Sequence, residues 1–198
     1  MKIVTLKNRA RINEVVDIHM QSFKGFFLTF LGKGFLKQLY KGFVEHKDSG
    51  LLVAVENDKI IGFLAYSGNL SSFYKYLLKR HFLPLAWHAG IAFVRKPKIF
   101  LRLIRAFGYS EDAKRDEKYV ELSSIGVIPK MEGKGVGSQL IKGLKRKVEG
   151  EKYRYIKLET DAENNEATNC FYQKNGFVLD HEYVTHEGRK MNEYRFYL

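Results

Sequence analysis

The segment VIPKMEGKGVGSQL, residues 127–140, constrains this chain more than any other. It follows the apolar run YVELSSIGV, which reads as a strand ending at Val127. Gly133, Gly135 and Gly137 then mark a turn. From Gly137 an amphipathic helix begins, with Leu140, Ile141, Leu144 and Val148 on one face. A strand, a glycine-rich turn and a helix N-terminus make an anion site. Backbone N–H groups without helical partners point outward, and the helix dipole favours negative charge. The spacing excludes two familiar phosphate loops. A P-loop needs GxxxxGK followed by Ser or Thr, whereas Lys134 is followed by Gly135. A dinucleotide fingerprint needs GxGxxG early in a βαβ unit, whereas the spacing here is GxGxG and late.

A second segment, NNEATNCFYQKNGFVLD at residues 164–180, completes the pattern. Together the two resemble the GCN5-related N-acetyltransferase (GNAT) family. That family's acetyl-CoA loop reads Q/R-x-x-G-x-G/A, and Glu132-Gly133-Lys134-Gly135-Val136-Gly137 keeps its glycines. Its following helix reads N-x-x-A-x-x-L-Y-x-x-x-G-F, matched by Asn165, Thr168, Phe171, Tyr172, Gly176 and Phe177. Thr168 replaces the usual Ala, and Glu132 replaces Gln or Arg. The strand Tyr153 to Glu159 lies between the two motifs. The resemblance spans residues 119–180 and, more loosely, 1–66.

The resemblance implies a single α/β domain over residues 1–198. Its sheet is mixed and mostly antiparallel, flanked by helices. Acetyl-CoA is the expected cosubstrate, and no metal is expected. The N–H groups of Gly133, Lys134, Gly135, Val136, Gly137 and Ser138 would hold the pyrophosphate. Amides of Ile125, Gly126 and Val127 would polarise the thioester carbonyl and pair with the pantetheine arm. Asn165 would cap its helix or bind the same arm. Glu121 is the expected general base, by its spacing from Glu132, and His19 and His181 are the other candidates. Tyr172 is the expected acid for the leaving thiolate. Cys170 has no histidine partner in sequence and reads as a small buried apolar residue.

The remaining elements fit the same order. KIVTLK is a strand, and residues 9–22 and 33–46 are helices. LLVAVEN and KIIGFLAY flank Asn57-Asp58, a tight hairpin turn. FVLDHEYVTH and KMNEYRFYL flank Glu187-Gly188, a second hairpin. One cysteine excludes an internal disulfide and fits a reducing, cytoplasmic setting. No apolar run is long enough to span a bilayer.

Residues 70–118 are an insertion before the strand that feeds the glycine loop. From Lys59 to Ser110 the chain has no acidic residue, and the formal net charge is +12. The insertion reads as a basic helical hairpin containing the amphipathic run IFLRLIRAF. Extra helices packed on the domain, covering the acceptor site or the subunit interface of a homodimer, are one reading. A peripheral contact of residues 71–110 with an anionic membrane is another. A nucleic-acid patch is the third, though no recognised binding motif accompanies the charge.

The expected reaction is acetyl transfer by direct attack of a primary amine. The acceptor is a small-molecule or sugar amine, or a protein amine. Phe26, Phe27 and Phe30 would wall an apolar pocket or simply pack. The alternative is a non-catalytic module that keeps the fold and docks on CoA, a membrane or nucleic acid.

Overall fold

The computed structural model describes residues 1–95 and 118–198. The run IFLRLIRAF and the second half of the basic insertion therefore lie outside the described residues. Seven strands form one sheet in the order β1-β2-β3-β4-β5-β7-β6. They are β1 (Lys2–Thr5), β2 (Ser49–Glu56), β3 (Lys59–Ser67), β4 (Tyr119–Val127), β5 (Tyr155–Asp161), β6 (Val178–Val184) and β7 (Lys190–Tyr197). All pairs are antiparallel except β4 with β5. The expected mixed, mostly antiparallel sheet is what forms.

Local chemistry explains the hairpins. Asn57 and Asp58 both adopt positive φ, as a two-residue turn matched to strand twist requires. The turn pairs β2 with β3 along their whole length. The central strands are apolar on both faces because helices cover both. Leu51, Val53 and Phe63 point to one side; Leu52, Ala54 and Leu64 point to the other.

On the first side pack α1 (Ile12–Ser22), the single turn α2 (Phe27–Phe30), α3 (Gly32–Glu45) and α4 (Leu70–Arg95). Phe35, Leu36, Tyr40 and Phe43 of α3 are buried there with Ile12 and Val15 of α1. The other side holds α5 (Val136–Val148) and α6 (Glu166–Lys174). Leu140, Ile141 and Leu144 of α5 lie against Leu64, Ile156 and Leu158. Basic residues Lys145, Arg146 and Lys147 close α5, where the helix dipole favours cations.

One irregularity decides where the site forms. Ala65 pairs with Ser124, but Tyr66 pairs with Leu122, so Ser123 is an extra residue in β4. Such a bulge bends and re-aims its strand. The parallel pairing of β4 with β5 runs only from Tyr119↔Tyr155 to Glu121↔Lys157. Beyond it β4 stays with β3, while β5 stays with β7 out to Asp161.

Leu140 is fully buried at the joint between α5 and the sheet. Leu140→Ala is expected to cost about 2–5 kcal/mol in denaturant unfolding. Leu78→Ala, at an exposed position, is expected to stay within about 0.5 kcal/mol of the parent. Equal losses at the two positions would contradict the assigned core.

Candidate active site

The divergence of β4 from β5 opens a cleft of about 1000 Å³. Its floor is the splayed part of β4, including Ile125, Gly126 and Val127. Gly133, Gly135, Val136, Gly137 and Ser138 form one wall, at the glycine turn and the start of α5. Asn165 and Tyr172 border it from α6. Ten of the residues expected from sequence thus surround one space. Lys134 and Glu121 do not line it. Lys134 is exposed, with its Nζ 3.8 Å from Met131 Sδ. Glu132 stands exposed at the rim.

The glycines serve two different needs. Gly133 and Gly135 have φ of +72° and +77°, a region costly for residues with a Cβ. A Cβ at either would meet nothing within 4 Å, so the space beside the turn is open. Gly137 is different: a Cβ there would lie 2.9 Å from Phe171 Cζ. Its bareness lets α5 approach α6. The first backbone bond of α5 runs from Gln139 N to Gly135 O, at 3.0 Å. The preceding N–H groups lack intrahelical partners and lie at the positive end of the dipole. An open, glycine-lined turn with these donors fits a pyrophosphate.

Tyr172 is buried, 7 % exposed, among Phe171, Phe177 and Tyr194. Burial pushes its phenol well above the ordinary tyrosine range. It therefore keeps its proton throughout the working pH range and can donate a hydrogen bond into the cleft.

Glu121 sits behind the cleft floor, 8 % exposed. The parallel register sets it opposite Lys157, whose Nζ is 3.8 Å from Glu121 Oε2. The same ammonium lies 2.8 Å from Glu159 and 3.3 Å from Glu193. Burial works against the Lys157 ammonium, but Glu121, Glu159 and Glu193 outweigh it and hold the group charged, above the ordinary lysine range. Glu159 lines the cleft and accepts a 2.6 Å hydrogen bond from the Tyr183 hydroxyl. Neither motif points to Glu159. The signal that does is the alternation along Tyr155, Lys157 and Glu159, which puts all three on one face of β5.

Two expectations need correction. Cys170 is exposed and lines the cleft. It falls on the open side of α6, opposite the face that carries Tyr172 into the core. Asn165 begins α6 without a side-chain capping bond. Its Nδ2 instead donates to Thr160 Oγ1 (2.8 Å) and Asp161 O (3.0 Å), fastening α6 to the end of β5. Among the described residues, Asp180, His181 and Glu193 bring metal-ligating atoms together. The Arg195 guanidinium lies 3.0 Å from Asp180 and 2.7 Å from Glu193, where it supplies the positive charge.

The first side of the sheet contributes His19, Phe23 and Phe26 to the cleft. His19 Nδ1 lies 2.7 Å from the Tyr40 hydroxyl, which lies 3.3 Å from Ser124 Oγ. This chain of contacts ties α1 and α3 to the bulged part of β4. Ser22 Oγ adds a 2.9 Å bond to Val127 O. His181 is exposed beside Asp180 and does not line the cleft. Phe26 is half exposed at the mouth, and Phe30 is similarly exposed on α2.

These arrangements predict two measurable effects. Gly135→Ala, which forces φ of +77° on a residue with a Cβ, is expected to weaken acetyl-CoA binding about tenfold or more. Unchanged calorimetric affinity would contradict the turn's role. Burial lowers the His19 imidazole to about 4 from an ordinary 6.5. Its native state binds a proton less readily than its unfolded state. Its contribution is therefore full above pH 6.5 and is lost as pH falls through 4, by about 3 kcal/mol in all. His19→Gln should flatten the fall in melting temperature across that window; an unchanged slope would contradict the burial argument.

The comparisons with known proteins agree with this geometry. The model of the acetyltransferase (GNAT) family matches residues 12–177. Among curated proteins, none matches the chain in sequence. The ribosomal-protein-alanine N-acetyltransferase of Brucella melitensis superposes with a TM-score of 0.64 at 12 % identity, over 100 % of both chains. The spermidine N-acetyltransferase SpeG of Vibrio cholerae, solved as a point mutant, gives 0.60 at 13 % identity, over 100 % of this chain and 95 % of that one. A Bacillus anthracis protein assigned as a streptothricin acetyltransferase, solved with acetyl coenzyme A, gives 0.52 at 19 % identity. That match covers 80 % of this chain and 68 % of the other. The cleft between β4 and β5, the glycine turn that walls it and the family match over residues 12–177 lead to one conclusion: this chain belongs to the acetyltransferase (GNAT) family of acetyl-CoA-dependent N-acetyltransferases.

Proposed function

We propose that this protein transfers an acetyl group from acetyl-CoA to a primary amine by direct attack, without an acyl-enzyme. The observation that carries the reading is the open edge of β4 facing the partnerless N–H groups of α5 across one cleft. The turn at Gly133 to Gly137, with Lys134 beside it and Ser138 following, would hold the pyrophosphate. The β4 edge from Ile125 to Val127 would receive the pantetheine arm as a strand receives a neighbour, and its amides would polarise the carbonyl.

The amine must lose a proton, and the thiolate must be stabilised as it leaves. The acidic group around Lys157 takes the first task in this reading. Glu121 is the base expected from the resemblance, and Glu159 is the member of that group at the cleft surface. Tyr172 takes the second task by donating its phenolic hydrogen towards the sulfur. Burial makes complete proton loss from Tyr172 costly, so its share is a strong hydrogen bond rather than an early transfer.

The acceptor side is walled by Phe23, Phe26 and Leu28. That lining favours an amine carried on an apolar or ring-shaped body, such as an amino sugar or a lipid-linked sugar. Structural neighbours act on very different amines, a ribosomal protein and spermidine among them. The core elements therefore permit a protein amine as well.

Release of CoA thiol, followed across a panel of amino sugars, peptides and polyamines, tests the reading. Glu121→Gln is expected to lower kcat about 10²-fold with the KM for acetyl-CoA unchanged, and Tyr172→Phe about tenfold. A large loss in Glu159→Gln with none in Glu121→Gln would move the base to Glu159. No turnover with any amine, despite acetyl-CoA binding, would favour a non-catalytic CoA-binding module; the ion pair that engages Glu121 is the observation such a module would share.

A further inference from the structure

The helix α4 has two unlike sides. Phe73, Leu77, His81 and Leu85 recur every four residues and are buried. Phe73 stacks on Phe43 at 4.2 Å, and His81 sits between Gln38 Oε1 and Glu45 Oε2, at 3.1 Å from each. This side is fixed to α3. The helix kinks at His81, whose φ and ψ are −119° and 15°. Pro84 follows in the first turn beyond the kink, where its missing N–H is tolerated.

The outer side carries Leu78, Phe82, Leu83 and Trp87, which are 44, 56, 78 and 71 % exposed. Single exposed apolar residues are ordinary, but two pairs at four-residue spacing, Leu78 with Phe82 across the bend and Leu83 with Trp87 beyond it, call for a partner. Lys75, Lys79 and Arg80 are exposed on the same helix, and Lys75, Lys79 and Phe82 follow one another at helical spacing. The sequence from Lys59 to Ser110 holds no acidic residue. Cores of protein interfaces are depleted in lysine, whereas an interfacial helix combines lysines, an exposed Trp and apolar side chains.

We propose that the outer face of α4 docks on an anionic lipid surface, lying in the headgroup plane. The charge argues for lipid rather than a second copy of a chain that itself carries a net charge of +12. No described helix is long and apolar enough to cross a membrane, so the contact is peripheral. His88, next to Trp87, packs against Gly34 in the first turn of α3. Exposed Phe30 lies just before that turn, and Phe26 at the cleft mouth just before Phe30. Docking through α4 would bring this edge of the cleft towards the lipid.

Trp87 is the sole tryptophan of the chain, so its emission reports this face alone. The intact protein would be titrated with vesicles of equal parts phosphatidylglycerol and phosphatidylcholine, and with vesicles of phosphatidylcholine only. The expected result is a blue shift and co-sedimentation with the anionic vesicles, weakened by salt. Phe82→Ser with Leu83→Ser, and separately Lys75→Glu with Lys79→Glu, should each reduce vesicle binding about tenfold or more. Circular dichroism and the melting temperature verify folding of each pair, and the parent's own fluorescence needs no variant. Absence of a shift with anionic vesicles, or equal binding by a folded variant, overturns the proposal. A concentration-dependent blue shift without vesicles, together with a dimeric mass, would also overturn it and assign the face to a second copy.

Discussion

Everything in the candidate site depends on the separation of β4 from β5. Two parallel strands that paired along their full length would leave no space between the layers. Here the pairing lasts only from Tyr119 to Glu121 on β4. The extra residue Ser123 turns the strand, and β3 continues to hold its other edge. The cost of an unpaired strand edge is met by packing and by specific bonds. Ser22 holds the Val127 carbonyl, and Tyr40 and His19 brace Ser124 from the first helical layer. The cleft is thus built into the sheet, and both helical layers border it.

Much of this is legible in the sequence because it is local. The Asn57-Asp58 turn, the apolar runs of β2 and β3 that flank it, and the glycine turn before α5 are decided within a few residues. The second motif shows where α6 must pass. What sequence does not supply is non-local register. The opposition of Glu121 and Lys157 arises between strands far apart in the chain, and it gives Glu121 an ion-pair partner. Glu159 reaches the cleft for the same reason. Asn165 and Cys170 depart from expectation for a subtler one: the motif fixes where α6 lies, not which way each side chain turns. Asn165 finds better partners at the end of β5 than at its own helix end, and Cys170 lies on the open side.

The electrostatics divide the molecule. Neighbouring positions of β4, β5 and β7 gather Glu121, Glu159 and Glu193 around Lys157, a local acidic group in a strongly basic chain, of which Glu159 lines the cleft. In the proposed reaction an ammonium acceptor would meet the Glu159 carboxylate, while the anionic cosubstrate would meet backbone donors at the glycine turn. The basic excess lies partly on α4, whose outer residues are free of any role in the cleft. The residues proposed for acetyl transfer and those proposed for lipid docking therefore lie on separate parts of the fold.

The central claim is that the cleft receives acetyl-CoA at the glycine turn. Calorimetric titration of the intact protein with acetyl-CoA, beside CoA and ATP, tests it most directly. The account predicts saturable binding of both CoA forms at one site per chain and no response to ATP. Absence of heat with either CoA form, or equal binding of ATP, would contradict it, and the turn would then be no more than a glycine-rich connection between β4 and α5.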